Sequence, residues 1–249
     1  MPRVLELLRK FDVPASFFIP AVIAQLYPDE QRAVVGGGHE IGMHGWIHEL
    51  NSELSVESER SLMMRSADVL EKIASKRPTD PNSIVGLFRR TLQIILERRL
   101  TYDTSLMAYD SCYEFLEDEK PTGVIELPVE WIRDDATDLW MSPDDSLRPN
   151  MSLDAILSVF IREFEGAYQD AELFQLTPHV IGYRSRVWIA EELVRCAKAK
   201  GDVWFAHSSS GSEACGLMPL NTCKQNLQRR PAARGTRPVF GETPKHGRN

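Results

Sequence analysis

Four cysteines in 249 residues, none in a CxxC pair, give no footing for a disulfide framework or a cysteine-rich zinc site. A reducing compartment is the expected setting. No run of about 18 apolar residues is present, so no segment is predicted to span a bilayer. Met1-Pro2-Arg3-Val4 lacks the apolar stretch of a secretory signal, and a cytoplasmic protein without membrane contact is expected. Acidic residues outnumber basic ones, 36 to 29. The net charge is −7, and because seven Lys/Arg face two Asp/Glu between Gly211 and Asn249, the first 210 residues carry −12. An acidic body argues against nucleic acid as a partner, since a duplex-facing surface is basic. Gly36-Gly37-Gly38 has no following Lys-Ser/Thr and does not fit G-x-G-x-x-G, which excludes the common phosphate loops. Ser208-Ser209-Ser210 beside His207 lacks the Gly-x-Ser-x-Gly elbow of a serine hydrolase. No internal repeat is evident.

What is present is an ordinary globular composition, 43% hydrophobic and 26% charged. Apolar spacing predicts helices over 4–10, 21–26, 29–35, 55–75, 91–98, 152–169 and 185–200. Ser55 and Ser152 are the predicted N-caps. Short strands are expected at 13–20, 39–43, 123–131, 172–177 and 202–206, with a loop over 76–88 holding Pro78, Pro81 and Gly86. Strands alternating with helices imply βαβ units and an α/β fold with helices outside a parallel sheet or barrel. Residues 1–207 make the expected body. The stretch 208–249, with little periodicity and a basic end, is expected to be a disordered tail.

Three of the six histidines fall within Gly38–Glu49 (GHEIGMHGWIHE). Neutral imidazole is a common ligand for zinc and similar ions. In a helical turn, His44 and His48 would present their nitrogens on one side. Taken alone, the spacing fits partly exposed loop histidines better than a metal site. Further on, Glu126, Glu130, Asp134 and Asp135 read as solvated loop carboxylates before an acid/base pair. Trp131, Trp140 and Trp188 read as core or rim residues, with sugar stacking as the sharper alternative.

The segment Gly38–Glu49 resembles the second motif of the polysaccharide deacetylase (NodB-homology) family. Other blocks agree in order. Residues 5–20 (LELLRKFDVPASFFIP) are similar to the helix and second strand after the family's first motif, and 100–110 (LTYDTSLMAYD) to its Tyr-Asp-Ser-Ser-Leu-Met segment. Residues 126–135 (ELPVEWIRDD) resemble the fourth-motif region, 174–186 (FQLTPHVIGYRSR) the fifth, and 201–206 (GDVWFA) the closing strand. The branch holding peptidoglycan deacetylase-like and allantoinase-like enzymes is the most similar.

That resemblance implies a distorted (β/α) barrel, here without its first strand, and one divalent metal, zinc being the expected one. It implies His44 and His48 as metal ligands, His179 as the catalytic acid toward a leaving amine, and Asp134 and Asp135 as supporting carboxylates. The expected substrate is an N-acetylated polysaccharide or a small amide, and a homo-oligomer is compatible with it. Three departures stand out. The family's first-motif carboxylates should precede Leu5; residues 77–88 keep only an opening Arg-Pro of the third motif; and Leu176-Thr177-Pro178-His179 is shorter than Leu-Thr-x-His-Pro-His. The expectation is therefore hydrolysis of a non-peptide carbon–nitrogen bond, with activity impaired in this chain. The alternatives are an allantoinase-like amidohydrolase or a catalytically dead binding remnant.

Overall fold

The computed structural model describes residues 1–75, 78, 89–107, 109–140 and 151–217. The predicted loop 76–88, Pro78 apart, and the tail beyond 217 lie outside the described residues.

Helix α1 (Pro2–Phe11) carries Leu7 and Leu8 on its buried face and stops where Asp12 turns left-handed at φ 50°. It leads into β1 (Ser16–Ile19). Pro20 and Pro28 then punctuate two helices, α2 (Ala21–Leu26) and α3 (Pro28–Gly36), before β2 (Glu40–Met43). β1 and β2 pair in parallel from Ser16 opposite Glu40 to Ile19 opposite Met43. Parallel neighbours need a crossover, and α2–α3 supplies it. Helix α4 (Val56–Ala74) opens on the predicted cap, Ser55 Oγ accepting from the Ser58 N–H at 3.1 Å. Ala67 and Leu70 of α4 pack with Ile19, Val34, Ile41 and Met43. Full burial of one such aliphatic chain is worth about 1.5–3 kcal/mol, so this small sheet is held mainly by its helices.

Helix α5 (Arg89–Arg98) is followed by β3 (Tyr102–Asp103), β4 (Tyr113–Glu117) and β5 (Lys120–Glu126). β5 is central, parallel to β3 and antiparallel to β4. The β4–β5 hairpin turns through Asp118 and Glu119, both at positive φ (47° and 65°), the twist that two-residue hairpin turns require. Leu92 and Ile95 of α5 bury against Tyr113, Phe115 and Val124. After a short helix α6 (Ala136–Leu139), α7 (Leu153–Asp170) and α8 (Val187–Lys200) pair through residues spaced by four: Ile156, Phe160 and Phe164 against Ile189, Leu193 and Ala197.

Two expectations change here. The described residues are mixed α/β, yet their strands form two sheets, of two and three strands, and one parallel bridge joining Asp134 to Thr177. Residues 172–177 and 202–206, expected as strands, form no ladder. At 202–206 the side chains do alternate, Val203 and Phe205 packing on the α7–α8 core while Trp204 is 63% exposed. Alternation reports a half-buried extended segment; a strand also needs a backbone neighbour, which sequence period does not reveal.

The second change concerns the tail. Residues 208–217, expected as its disordered start, form helix α9 (Ser208–Leu217). Its first N–H groups find partners elsewhere: Ser208 N–H donates to Ser16 Oγ at 2.8 Å and Ser209 N–H to Glu40 Oε2 at 3.2 Å. Ser212 and Cys215 are buried, and Cys215 forms a disulfide with Cys112, 103 positions away. Tertiary partners thus override the weak helix propensity of Ser-Ser-Ser-Gly-Ser, and cysteine spacing had suggested no such bridge.

Candidate active site

His44 leaves the C-terminal end of β2, its N–H still bonded to Ile19 O at 3.3 Å. The chain then bends sharply. Gly45 adopts φ 71°, and a Cβ there would stand 3.2 Å from all three carboxyl atoms of Glu49. Only glycine meets both conditions cheaply. The carbonyls of Gly45 and Trp46 accept from Ala21 and Val22 N–H at 3.1 and 3.0 Å, which satisfies the open N-terminus of α2. Glu49 folds back beneath the loop: Oε1 accepts from Trp46 N–H at 2.9 Å, and Oε2 from Ile47 N–H at 2.7 Å. Arg65 of α4 lies over the Trp46 ring at 3.7 Å. His48 sits at φ 71°, a conformation that costs a non-glycine residue on the order of 1 kcal/mol or more.

The two imidazoles meet edge-on, ring centroids 4.8 Å apart. The turn that brings them together is not the helical one expected from their spacing; it is a bend built on two left-handed residues and a carboxylate. Two imidazole nitrogens, each about 2 Å from one tetrahedral ion, put ring centroids about 5 Å apart, so the pair fits a shared cation. A third protein ligand is a different matter. Among the described residues, the set of three His, Cys, Asp or Glu with ligand atoms within 4.8 Å of one another is Asp134, Asp135 and His179. It does not include His44 or His48.

That second cluster rests on the Asp134–Thr177 bridge, with Thr177 N–H bonded to Arg133 O at 3.0 Å. Asp135 is fully buried and takes the N–H groups of His179 and Val180, at 2.5 and 3.0 Å. Burial pushes its carboxyl upward, against the pull of those donors. Asp134 Oδ1 accepts from Ala136 N–H at 2.8 Å and faces His179 Nδ1 at 2.9 Å. The bond to Asp134 holds the His179 imidazole above its ordinary 6.5, overcoming partial burial. The ligand count allows a cation here. The bonding argues instead for a dyad, because the carboxylate oxygens nearest the ring are already engaged.

All five residues singled out in the sequence are thus placed, in two groups: His44 with His48, and His179 with Asp134 and Asp135. The reading as solvated loop carboxylates is corrected for Glu126 and Asp135, which are 0% exposed, while Glu130 and Asp134 are half-buried. Glu126 lies in register with Asp103, also fully buried, so the two carboxyl groups share one interior and the charge of one bears on the other. Leu106 N–H donates to Glu126 at 2.7 Å, and Ser105 N–H and Oγ donate to Asp103 at 3.1 and 3.0 Å. Asp103 was missed because a two-residue strand leaves no periodic signal. Trp131 and Trp140 are exposed, at 61% and 55%, whereas Trp188 packs against the α7–α8 core.

Known proteins similar to this chain include polysaccharide deacetylases. Residues 1–88 match the family profile described as polysaccharide deacetylase. The solved structure of a Mycobacterium smegmatis protein assigned to the polysaccharide deacetylases superposes with a TM-score of 0.80 at 27% identity, covering 90% of this chain and 80% of that one. Residues 1–88 of this chain carry the sequence pattern of the polysaccharide deacetylase family. The chain is 24% identical over 224 residues to a peptidoglycan deacetylase of Helicobacter pylori, spanning 78% of this chain and 75% of that protein. Other peptidoglycan deacetylase relatives are matched over less than half their length. An allantoinase structure shares the fold, with a TM-score of 0.74 at 22% identity over 86% of this chain and 70% of that one. Structures of the family include a pseudoenzyme from Bacillus anthracis.

Proposed function

We propose that this chain is a metal-dependent hydrolase for non-peptide carbon–nitrogen bonds, directed at the N-acetyl group of an amino-sugar polymer. The convergence of the His44 and His48 rings at 4.8 Å carries the reading. These two residues would hold a divalent ion, zinc by preference for imidazole, at the end of β2. When bound, such an ion polarises an amide carbonyl and lowers the pKa of water. His179 has a separate task. With Nδ1 turned to Asp134, its Nε2 is left to donate a proton to the departing amine, which leaves poorly unless protonated. The raised imidazole pKa favours the protonated ring, the form that can donate. Asp135 fixes the backbone N–H groups of His179 and Val180, and so the position of the ring. The fold is read as an opened form of the family's (β/α) barrel, with α9 closing onto the starts of β1 and β2.

A second reading is supported by one observation. Among the described residues, no third His, Cys, Asp or Glu completes the His44–His48 pair within 4.8 Å. Two imidazoles alone hold zinc weakly, and we infer low activity, the limiting case being a binding remnant. The test is acetate release from N-acetylated chitooligosaccharide and peptidoglycan fragments by the zinc-supplemented full chain, beside allantoin hydrolysis. Acetate release abolished by His44→Ala supports the deacetylase. Turnover of allantoin alone moves the assignment to a ureide. Neither activity, with no metal retained, leaves the remnant.

A further inference from the structure

We propose that Glu49 is a positioning residue for the two histidines: its carboxylate, seated inside the 44–48 bend, sets where the His48 ring stands relative to His44. The inference rests on the reading of that pair as the cation site. Three observations carry it. The bend is anchored on the His44 side by strand and helix bonds, from His44 N–H to Ile19 O and from Ala21 and Val22 N–H to the Gly45 and Trp46 carbonyls. Toward His48 the backbone of the bend turns to Glu49, which receives Trp46 N–H at 2.9 Å and Ile47 N–H at 2.7 Å. The carboxylate occupies the volume a side chain at residue 45 would need, 3.2 Å from that Cβ position, so Gly45 and Glu49 are fitted to each other.

The consequence is mechanical. His48 precedes Glu49 directly and is held at φ 71°. A residue released from such a conformation returns to negative φ, and its side chain then leaves the direction that puts the rings 4.8 Å apart. Glu49 therefore acts on the cation through His48 and needs no contact with it. Its loss should resemble loss of an outer-shell partner, which typically weakens metal binding 10–100-fold. Glutamine keeps one carbonyl acceptor and should restore part of that loss.

The experiment is titration of the full chain with Co(II), read by visible ligand-field absorption and calorimetry, for the unaltered chain, His44→Ala, Glu49→Ala and Glu49→Gln, with thermal unfolding of each metal-free form. Binding lost in His44→Ala, weakened about 10–100-fold in Glu49→Ala and intermediate in Glu49→Gln is the expected order. If Glu49→Ala fails to fold, the Glu49→Gln affinity decides by itself: a clear drop at an unchanged unfolding midpoint supports the role. Unaltered Co(II) affinity and spectrum in the glutamate variants, with binding still lost in His44→Ala, overturns the positioning role and leaves the hydrolase reading standing. Binding that is absent, or indifferent to His44→Ala, overturns both.

Discussion

His179 and Asp134 are joined by one hydrogen bond of 2.9 Å, and the charge of the imidazole is tied to it. A group whose folded pKa exceeds its unfolded value adds stability fully present below the unfolded pKa, here 6.5, and lost as pH rises through the folded one. Asp134→Asn keeps an oxygen for the Ala136 N–H but removes the negative charge beside the ring. We predict that the His179 titration, followed by its ring-proton NMR shifts, falls toward 6.5 in Asp134→Asn, and that any alkaline limit of activity falls with it. An unchanged titration would show that another group holds the proton. This pair was legible from the sequence because both members sit in motif segments resembling those of a known family. Glu49 and Asp103 were not, for different reasons. Glu49 stood in the sequence only as the last residue of the Gly38–Glu49 segment, without a role, until Gly45 at φ 71° showed what it fills. Asp103 belongs to a strand of two residues.

Helices read well from sequence and strands read poorly, and the cause is length. α4 and α7, of 19 and 18 residues, repeat their apolar stripe over several turns and carry a serine cap each. A four-residue strand such as β1 or β2 is recognisable mainly by its company, a proline after one and glycines before the other. Segment 202–206 has the right alternation and no strand neighbour, while β4 went unpredicted because its definition lies in its pairing with β5. α9 is the extreme case. Neither stripe nor composition foretells it, and it is held by Ser16, Glu40 and Cys112 from three distant segments. The Cys112–Cys215 bond closes a separation of 103 residues, for which a loss of about 2–4 kcal/mol on opening is typical. Reduction, or Cys215→Ser, should lower the thermal midpoint accordingly, and reductant should then have no further effect on Cys215→Ser. Equal midpoints for oxidised and reduced protein would mean that α9 docks without its covalent tie.

Across the whole molecule, acidic charge is abundant outside and also buried within. Asp103 and Glu126 stand in register on parallel β3 and β5, both 0% exposed, so the three-stranded sheet encloses a carboxyl pair. Burial drives both upward: Asp103 to about 7, and Glu126 well above the usual carboxylate range as its partner's charge adds to burial. Each retains a proton that the unfolded chain releases in the ordinary carboxylate range, near 3.8 for Asp103. The folded state then binds more protons than the unfolded one between that value and about 7. Stability from this source is therefore complete at low pH and is lost as pH rises through that window, by about 1 kcal/mol per pH unit for one proton. This slope opposes the rise that salt-bridged carboxylates such as Glu191, lowered by Lys10 and Arg195, contribute in the acid range. Asp103→Asn removes one charge, keeps a hydrogen-bonding group beside Glu126, and should flatten the decline. Urea unfolding at pH 5 and pH 8 measures it: the unaltered protein should lose about 1–3 kcal/mol over that span relative to Asp103→Asn, whose advantage grows with pH. A constant difference between the two proteins at both pH values would place the titrating proton elsewhere, and the pair would then be ionised within the fold.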